Sequence, residues 1–499
     1  MAQIFYLCLN IQYITLYCIF YIVSQSLLKF QTENIVNIIK ESILNNSKVK
    51  IIGITDLGEK ISAAAGRIST REGRCSDMLD LSRDSKKNID FISRVTGSGH
   101  NSIVEHTYFN LIFEDVSVFF EQFLIEFRLM SFTVKSRRYV DFNDVGFYIP
   151  ENMKPQDEEK YKKHMNSLFS AYGELLDLNI LKEDARFILP YSLHSNIFCS
   201  LNARELIHLL FVMLYGRKSH IAEIKTLGLS ILKQVRDIAP GILNNFDERS
   251  KAKLNNLSKT PEFNKSNKSN EDLPLVELLS STDNPYEIIL KSELVYKSDY
   301  SRENANQYLN DNKFMNDLMN SLVKSERPRA LEHASYSFQF NNVSLPCLTH
   351  FARHRIWSLS IPPLENIDRT AFKIPPSIME NEKALKIVKE KLKENIDLYN
   401  EFIKKYDDSI TCYLLLSGNT LSFTGTMNAR ELILFLKLRT CNRAQWEIRD
   451  YANDMLEILR DKSPLIFNHY GPSCYVLGKC PEGKLTCGKF NEVVEKFKV

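Results

Sequence analysis

The sequence repeats itself at a long interval. The pentapeptide Asn-Ala-Arg-Glu-Leu occurs at Asn202–Leu206 and again at Asn428–Leu432. Three further landmarks recur at almost the same offset, since Glu105-His106, Ser117 and Arg128 return as Glu332-His333, Ser344 and Arg355. A period above about 200 residues is far longer than one solenoid repeat. The sequence therefore predicts two tandem copies of a whole domain, each large enough to bury its own core.

The composition is that of an ordinary globular protein. Apolar residues make up 44% and charged residues 25% of the 499 positions, which is usual for soluble domains. A formal net charge of +3 is too small to indicate a nucleic-acid-binding surface. The 10 cysteines are scattered rather than arranged as a disulfide framework, which favours a reducing compartment. We therefore expect a cytoplasmic protein without a nucleic-acid partner.

The N-terminal segment departs from this composition. Met1–Leu28 carries no charged side chain and is long enough to span a bilayer. Polar residues interrupt it, however, and it lacks the basic start of a secretory signal. An incidental extension is the favoured interpretation, and a membrane anchor remains the alternative.

Short strand-like runs and long helical patterns alternate in both copies, which predicts an α+β fold repeated twice. The expected strands are Tyr108–Phe113 and Tyr336–Phe340, and the expected helices are Val116–Phe127, Val343–Ala352, Lys383–Tyr406 and Arg443–Arg460. A segment rich in Lys, Asn and Ser predicts a linker between the copies. The predicted divisions are an apolar extension (1–47), the first copy (48–246), the linker (247–272), the second copy (273–467) and a Cys-containing tail (468–499).

Two basic motifs are the strongest candidates for chemistry. Arg353-His354-Arg355 follows an apolar run in the second copy, where unpaired charges are costly and need an anion or an acidic partner. A solvated helix end is the alternative interpretation. The first copy keeps only Arg128 of this motif, but it continues into Lys135-Ser136-Arg137-Arg138. These donors predict a phosphate-binding loop, whereas the second copy has Ile361–Leu364 there.

Together these motifs resemble the flavin-dependent thymidylate synthase family. Its signature is Arg-His-Arg, two residues, Ser, four residues, Ser, one residue and Arg. The second copy matches the front of this signature at Arg353–Ser358, and the first copy matches its back at Arg128–Arg138. The resemblance continues through Ala185–Pro190, both Asn-Ala-Arg-Glu-Leu stretches and Ala444–Arg449.

The resemblance implies an enzyme that converts dUMP to dTMP. It implies FAD as cofactor, with NADPH and methylenetetrahydrofolate as co-substrates. The residues implied to contact FAD are Ser102, Asn202, Arg204, His208, Arg353, His354, Arg355, Asn428 and Arg430. Those implied to contact the nucleotide are Lys135, Ser136, Arg137, Arg138, Arg186 and Arg439, of which Arg439 would stabilise charge on the pyrimidine during catalysis.

Each copy lacks a different part of this set. Arg186 of the first copy corresponds to Cys412, and Arg439 of the second copy corresponds to Met213. Members of the family are homotetramers with sites shared between subunits. We therefore predict a composite site built from both copies, in a homodimer that resembles a tetramer. The alternatives are a catalytically decayed relative that binds nucleotide or flavin, and a flavoenzyme that modifies another pyrimidine nucleotide.

The C-terminal tail leaves a further alternative open. His469, Cys474, Cys480 and Cys487 include the usual ligands of zinc, but their spacing is not that of a standard finger. Free cysteines are the favoured interpretation, and no metal site is predicted.

Overall fold

The computed structural model describes residues 47–143, 145–256, 273–298 and 301–499. The apolar segment at the N-terminus and residues 257–272 of the expected linker lie outside the described residues. The strands are β1 (Lys48–Ile54), β2 (Tyr108–Ser117), β3 (Ser131–Val134), β4 (His194–Asn202), β5 (Val276–Ser281), β6 (Ser335–Ser344), β7 (Ser358–Ser360) and β8 (Thr420–Asn428).

Helices account for most of the remaining structure. The α-helices are α1 (Lys60–Ile68), α2 (Cys75–Leu81), α3 (Ser85–Gly97), α4 (Val118–Ile125), α5 (Pro155–Asp177), α6 (Lys182–Ala185), α7 (Ala203–Tyr215), α8 (Ala222–Ile238), α9 (Phe246–Asn255), α10 (Pro285–Tyr296), α11 (Arg302–Leu309), α12 (Asn312–Val323), α13 (Leu345–Ala352), α14 (Pro376–Met379), α15 (Glu382–Phe402), α16 (Asp408–Thr411), α17 (Ala429–Arg439), α18 (Trp446–Lys462), α19 (Pro464–Phe467), α20 (Ser473–Leu477) and α21 (Phe490–Phe497). The 3₁₀ turns are Asn101–His106, Arg186–Ile188, Pro240–Leu243, Arg329–His333, Leu364–Asn366, Cys412–Leu414 and Gly483–Leu485.

The described residues fall into two compact units that do not follow the sequence repeat. The first unit holds 47–117, 147–151 and 194–256, and the second holds 118–143, 145–146, 152–193, 273–298 and 301–499. A long part of the first copy therefore folds together with the second copy. The predicted domain boundaries describe the repeat in the sequence and stay predictions.

In the first unit, β1, β2 and β4 form an antiparallel sheet in the order β1-β2-β4. Asn202 ends β4 and caps α7, because its side chain accepts a hydrogen bond from Glu205 N at 2.9 Å. Helix α9 covers the start of the interval 247–272, for which the sequence predicts a linker. Phe246 is buried and Asp247 pairs with Arg236 at 2.6 Å, which fixes this helix to the unit.

The second unit contains a four-stranded antiparallel sheet in the order β5-β6-β8-β7. Asn428 ends β8 and caps α17 by accepting from Glu431 N at 3.0 Å, as Asn202 does in the first unit. Strands β2 and β6 each contain a register shift and a residue with positive φ, namely Asp115 (51°) and Asn342 (55°). These two residues occupy equivalent positions of the two copies. The expected α+β fold in two copies is confirmed.

Equivalent residues of the two copies contact each other inside the second unit. Thr349 Oγ1 on α13 donates to Gln122 Oε1 on α4 at 3.1 Å, and these two residues are counterparts in the repeat. Arg128 Nη1 donates to Trp357 O at 3.1 Å. Its counterpart Arg355 donates through Nη1 to Met130 O, the counterpart of Trp357, at 3.0 Å. Such reciprocal contacts are those of a two-fold interface.

A second reciprocal contact joins the segments that precede β4 and β8. Tyr191 N donates to Leu415 O at 2.7 Å, and Ser417 N donates to Leu189 O at 2.8 Å. Pro190 and Leu416, which are counterparts in the repeat, form the bridge between them. The second unit therefore contains an internal pseudo-dimer of the two copies, which brings first-copy and second-copy side chains together.

Candidate functional site

A basic cavity in the second unit is lined by residues of both copies. Its volume is about 500 Å³. Arg138 of the first copy reaches Arg443 of the second copy, because its Nη2 donates to Arg443 O at 3.4 Å. The lining residues are Arg138, Tyr139, Leu181, Lys182, Glu183, Asn442, Arg443, Ala444, Trp446 and Arg449. Four cationic side chains face one carboxylate there, so the cavity favours an anionic ligand.

Arg186 lies beside this cavity with part of its hydrogen-bonding capacity unused. It starts the 3₁₀ turn that follows α6 and is 5% exposed. Its Nε donates to Glu183 O at 3.0 Å, whereas its buried Nη2 has no hydrogen-bond partner among the described residues. Burial, followed by the neighbouring Arg137 and Arg138, lowers the pKa of Arg186 to about 10. The guanidinium therefore stays charged at neutral pH. Glu183 and Asp184 act on its pKa in the opposite direction, but neither forms a salt bridge with it among the described residues.

The Lys135–Arg138 loop contributes one side chain to the cavity. Arg138 lines it and also pairs with Glu183 at 2.8 Å. Arg137 is buried against Glu121 at 3.0 Å, so its charge is already compensated. Lys135 lies over the ring of Phe142 at 5.3 Å, and Ser136 Oγ accepts from Arg138 N at 3.4 Å. Arg138 is thus the member of the loop that is placed to meet an anion.

Arg439 and His354 form a hydrogen-bonded pair. Arg439 ends α17, and its Nε donates to His354 Nε2 at 3.0 Å. His354 must therefore be neutral, and burial followed by Arg439 lowers the pKa of this imidazole to about 3. Burial, followed by Arg353, lowers the pKa of Arg439 to about 10. The histidine packs on Phe435 with ring centroids 5.0 Å apart, so it fixes the position of the guanidinium.

Two further cavities adjoin these residues. One of about 270 Å³ is lined by both Arg138 and Arg439, together with residues of the C-terminal tail. The other, of about 410 Å³, is lined by Arg353, Arg355, Ala352, Ile125 and Met130–Val134. This second cavity combines cationic and apolar walls. It is suited to a ligand that has both an aromatic ring system and phosphate groups.

The remaining candidate residues have structural contacts of their own. Ser102, Asn202, Arg204 and His208 lie in the first unit. Arg204 pairs with Glu105 at 2.6 Å, and Arg430 in the second unit pairs with Glu332 in the same way. The recurring Glu105 and Glu332 therefore each have an arginine as ionic partner.

Lys182, His350, Arg443 and Arg449 were not singled out from the sequence. Arg443 is held near the first copy because Trp446 Nε1 donates to Asp184 Oδ1 at 2.8 Å and its ring stacks on Phe187. The resemblance had pointed to the segment after Ala444. Arg443 and Arg449, at the two ends of that segment, were the sequence feature that could have indicated these cavity residues.

The C-terminal cysteines do not form a metal site in the described part of the chain. Cys441, Cys474, Cys480 and Cys487 line the cavity of about 270 Å³. No group of three or more His, Cys, Asp or Glu side chains suited to a metal ion is present in residues 47–143, 145–256, 273–298 and 301–499. Within the same ranges, none of the helices has the length and apolar character needed to cross a membrane.

In the comparison with known proteins, the family model and the similar relatives all carry the name of thymidylate synthases. The model of a family described as thymidylate synthase complementing protein matches residues 50–241 and again 277–465. Flavin-dependent thymidylate synthase of Geobacter sulfurreducens is 36% identical over 176 residues, covering 34% of this chain and 74% of the relative. The corresponding enzyme of Clostridium tetani is 30% identical over 237 residues, covering 44% and 94%. That of Pyrococcus abyssi is 33% identical over 231 residues, covering 42% and 90%.

A solved structure is also similar. The UMP/dUMP methylase PolB from Streptomyces cacaoi bound with 5-Br dUMP matches with a TM-score of 0.35 and 22% identity. The match covers 41% of this chain and 96% of that one.

Proposed function

Because the chain belongs to the thymidylate synthase complementing protein family, we propose that it converts dUMP to dTMP, with FAD as cofactor, methylenetetrahydrofolate as carbon donor and NADPH as reductant. One observation carries the proposal. Arg138 and Arg186 of the first copy lie in the same unit as Arg353 and Arg439 of the second copy, and Arg138 and Arg439 line one cavity together. Neither copy holds this set alone.

Arg186 and Arg138 are the proposed ligands of the nucleotide phosphate. Arg186 has an unused buried donor, and a phosphate dianion would accept a charge-assisted hydrogen bond from it. Arg138 is paired with Glu183 but remains at the cavity surface. Arg443, Lys182 and Arg449 add positive charge around the same volume. The phosphate would therefore bind between the two copies.

Arg439 is the proposed catalytic residue. Its guanidinium is charged and half-buried, and charge stabilisation is stronger where water is excluded. Negative charge that develops on the pyrimidine as electron density rises at its C5 carbon, before this carbon bonds to the methylene group, would be stabilised by this group. His354 acts by holding Arg439 Nε in position. This assigns His354 a positioning role beside the cofactor contact implied by the resemblance.

The cavity between Arg353 and Arg355 fits FAD by its chemistry. Cationic side chains suit the pyrophosphate, and the apolar wall at Ile125, Met130 and Ala352 suits a ring system. When bound, FAD would transfer reducing equivalents from NADPH to the methylene carbon. Ser102, Asn202, Arg204, His208, Asn428 and Arg430 stay proposed cofactor contacts.

The reaction is tested with purified protein. We expect a yellow protein that oxidises NADPH faster when dUMP is present and that supports growth of a thymidine auxotroph without thymidine. A colourless protein that does not bind dUMP would favour the decayed relative. NADPH oxidation stimulated by another pyrimidine nucleotide, without growth of the auxotroph, would favour a changed specificity.

We propose one nucleotide site per chain, in a homodimer of chains. The motivation is that the basic set is complete once in the sequence. Titration with dUMP should saturate at one equivalent per chain or less, and light scattering should give twice the chain mass. Two equivalent dUMP sites per chain would contradict the composite site.

A further inference from the structure

Asp184 is a buried carboxylate of the first copy that accepts hydrogen bonds from two residues of the second copy. It lies on α6, two residues before Arg186, and is 5% exposed. Trp446 Nε1 donates to its Oδ1 at 2.8 Å, and Ser377 Oγ donates to its Oδ2 at 2.6 Å. An ionised carboxylate accepts on both oxygens. The two donors therefore hold Asp184 as an anion in one orientation.

The stronger constraint comes from Trp446, which begins α18 and lines the cavity of about 500 Å³. Its indole stacks on Phe187 of the first copy, with ring centroids 6.2 Å apart and an angle of 21° between the planes. Ser377 lies on α14. The stacking fixes the plane of the indole, and so the direction in which its N–H points at Asp184.

Asp184 and Arg186 act on each other electrostatically without forming a salt bridge among the described residues. Burial raises the pKa of Asp184, and the nearby Arg186 is one of the groups that oppose this rise. Opposite charges attract strongly where water is excluded, so a carboxylate beside a buried guanidinium is expected to pair with it. Arg186 Nη2 nevertheless has no hydrogen-bond partner among the described residues. The two donors from the second copy account for this difference.

The other side of the pseudo-dimer has neither the arginine nor the carboxylate. At the offset that relates Arg186 to Cys412, Asp184 corresponds to Ile410. Ile410 is 5% exposed, so an aliphatic side chain satisfies the packing at the equivalent position. The acidic residue is present in the copy that has Arg186 and absent from the copy without it. This distribution argues against a role in packing alone.

We propose that Asp184 is a positioning residue of the nucleotide site, because Trp446 and Ser377 hold its carboxylate away from Arg186 and leave Arg186 Nη2 available to the phosphate. This inference rests on the proposed function, since it concerns access to the same phosphate ligand. The second copy thereby keeps a ligand of the first copy open. Affinity for dUMP then depends on the indole N–H of Trp446 through Asp184.

The proposal predicts a coupling of definite sign between Trp446 and Asp184. Without the indole N–H, Oδ1 of Asp184 is released and turns to Arg186, where the new ion pair competes with the phosphate. Without the charge on Asp184, this competition cannot occur. The effects of substituting the two residues should therefore not add, since residues in one network are coupled.

The test is calorimetric titration with dUMP of four full-length holoenzymes, namely the unaltered protein, Trp446→Phe, Asp184→Asn and the double variant. Trp446→Phe keeps an aromatic ring against Phe187 and removes the N–H. Asp184→Asn keeps the shape of the side chain and removes its charge. Trp446→Phe should bind dUMP about tenfold more weakly. Asp184→Asn should bind at least as tightly as the unaltered protein, and the double variant should match Asp184→Asn.

Steady-state kinetics add a measurement that a loss of structure would not reproduce. Trp446→Phe should raise KM for dUMP and leave kcat at saturating dUMP unchanged, because the phosphate can displace Asp184 once it is bound. Circular dichroism checks that the variants are folded. If Trp446→Phe does not fold, Ser377→Ala replaces it in the same cycle, where it releases Oδ2 and should weaken binding in the same direction.

Three outcomes overturn the inference. Unchanged affinity in Trp446→Phe, or equal weakening by this substitution with Asp184 and with Asn at position 184, would show that the indole does not act through the carboxylate. Weakening by Asp184→Asn as large as that by Trp446→Phe would show that Asp184 only joins the two copies. Absence of dUMP binding by the unaltered protein would overturn the proposed function as well, whereas the first two outcomes leave it standing.

Discussion

The two copies of the chain differ most at positions that are equivalent to each other. On one side of the internal pseudo-dimer the basic residues are present, and on the other side their counterparts are acidic, apolar or a thiol. The pairs are Arg138 and Leu364, Arg186 and Cys412, His350 and Phe123, Arg353 and Glu126, and His354 and Phe127. One set suits an anionic ligand and the other does not. This difference between equivalent positions is what the composite site proposed above requires.

The counterpart region has become part of the protein core. Cys412 is fully buried and Leu364 is 1% exposed. Arg369 is also buried, but its Nη1 donates to Ile367 O at 2.5 Å and its guanidinium lies over Tyr399 at 4.7 Å. Both Nη atoms of Arg369 donate to backbone carbonyls, whereas Nη2 of Arg186 has no partner among the described residues. The Arg369 guanidinium therefore serves the fold.

The hydrogen bonds between the two copies join equivalent residues in a symmetric way, whereas the residues of the candidate site are not matched by equivalent residues in the other copy. Arg128 and Arg355 make matching hydrogen bonds to Trp357 and Met130. Thr349 pairs with its own counterpart, Gln122. The physical lesson is that a two-fold interface needs equivalent residues on both sides, whereas a composite site needs each residue once.

The largest effect is expected at Arg439. Arg439→Ala should lower kcat by roughly 10²- to 10³-fold, because the guanidinium acts on charge that is greatest in the transition state. The dissociation constant of dUMP should change much less. Leu434→Ala is the control, since this residue is exposed on the same helix. Steady-state kinetics test this prediction. An increase in KM with kcat unchanged would contradict the catalytic role.

Arg186 and Cys412 provide the most direct test of the difference between the two sites. Arg186→Met should weaken dUMP binding roughly 10- to 150-fold, as a charge-assisted contact is lost. It should also raise the free energy of unfolding by about 1 kcal/mol, since a buried cation without a salt bridge among the described residues is removed. Cys412→Ala should leave dUMP affinity unchanged and lower stability by about 1 kcal/mol. Equal loss of affinity in both variants would mean that both positions bind the nucleotide.

The sequence predicts the features that depend on local pattern. The repeat spacing predicts two copies, and the strand-like and helical patterns within each copy predict the α+β fold. The expected strands at Tyr108 and Tyr336 are confirmed and extend to Ser117 and Ser344. Helix starts are less well predicted. The helix expected from Val116 begins at Val118, because β2 continues to Ser117.

Long-range contacts could not be predicted in this way. Arg137 belongs to a basic loop in sequence, but Glu121 compensates its charge through folding. His354 and Arg439 are far apart in the sequence, so their hydrogen bond has no local signal. His350 lies in an apolar helix, where a histidine is most simply interpreted as a core residue. These contacts depend on how the two copies fold together.

Substitutions of Arg128 and Arg355 test whether the contact between the copies and the binding of flavin depend on different residues. Arg128→Ala and Arg355→Ala should each lower the free energy of unfolding by about 0.5–1 kcal/mol, because each loses a hydrogen bond to a carbonyl of the other copy. Only Arg355 lines the cavity proposed for FAD, so only Arg355→Ala should release flavin, measured by absorbance of the filtrate. Flavin loss in both variants would show that the cofactor site depends on the interface as a whole.

The smallest effect concerns an ionic contact that has no symmetric counterpart. Asp157 on α5 accepts hydrogen bonds from Lys405 and Tyr406, both at 2.8 Å. The counterpart positions, 383–384 and 178–179, hold no acidic–basic pair. Asymmetry therefore extends beyond the candidate site into the contact between the copies.

The pH dependence of stability reports on this contact. Lys405, then Tyr406, lowers the pKa of Asp157, so its contribution is present above the ordinary carboxyl pKa and is lost as pH falls through the lowered value. Asp157→Asn should lower Tm by about 2 °C at pH 7, and the difference from the unaltered protein should shrink below about pH 4. Glu159→Gln, exposed on the same helix, should leave Tm unchanged. A difference that stays constant with pH would show that Asp157 acts through packing rather than charge.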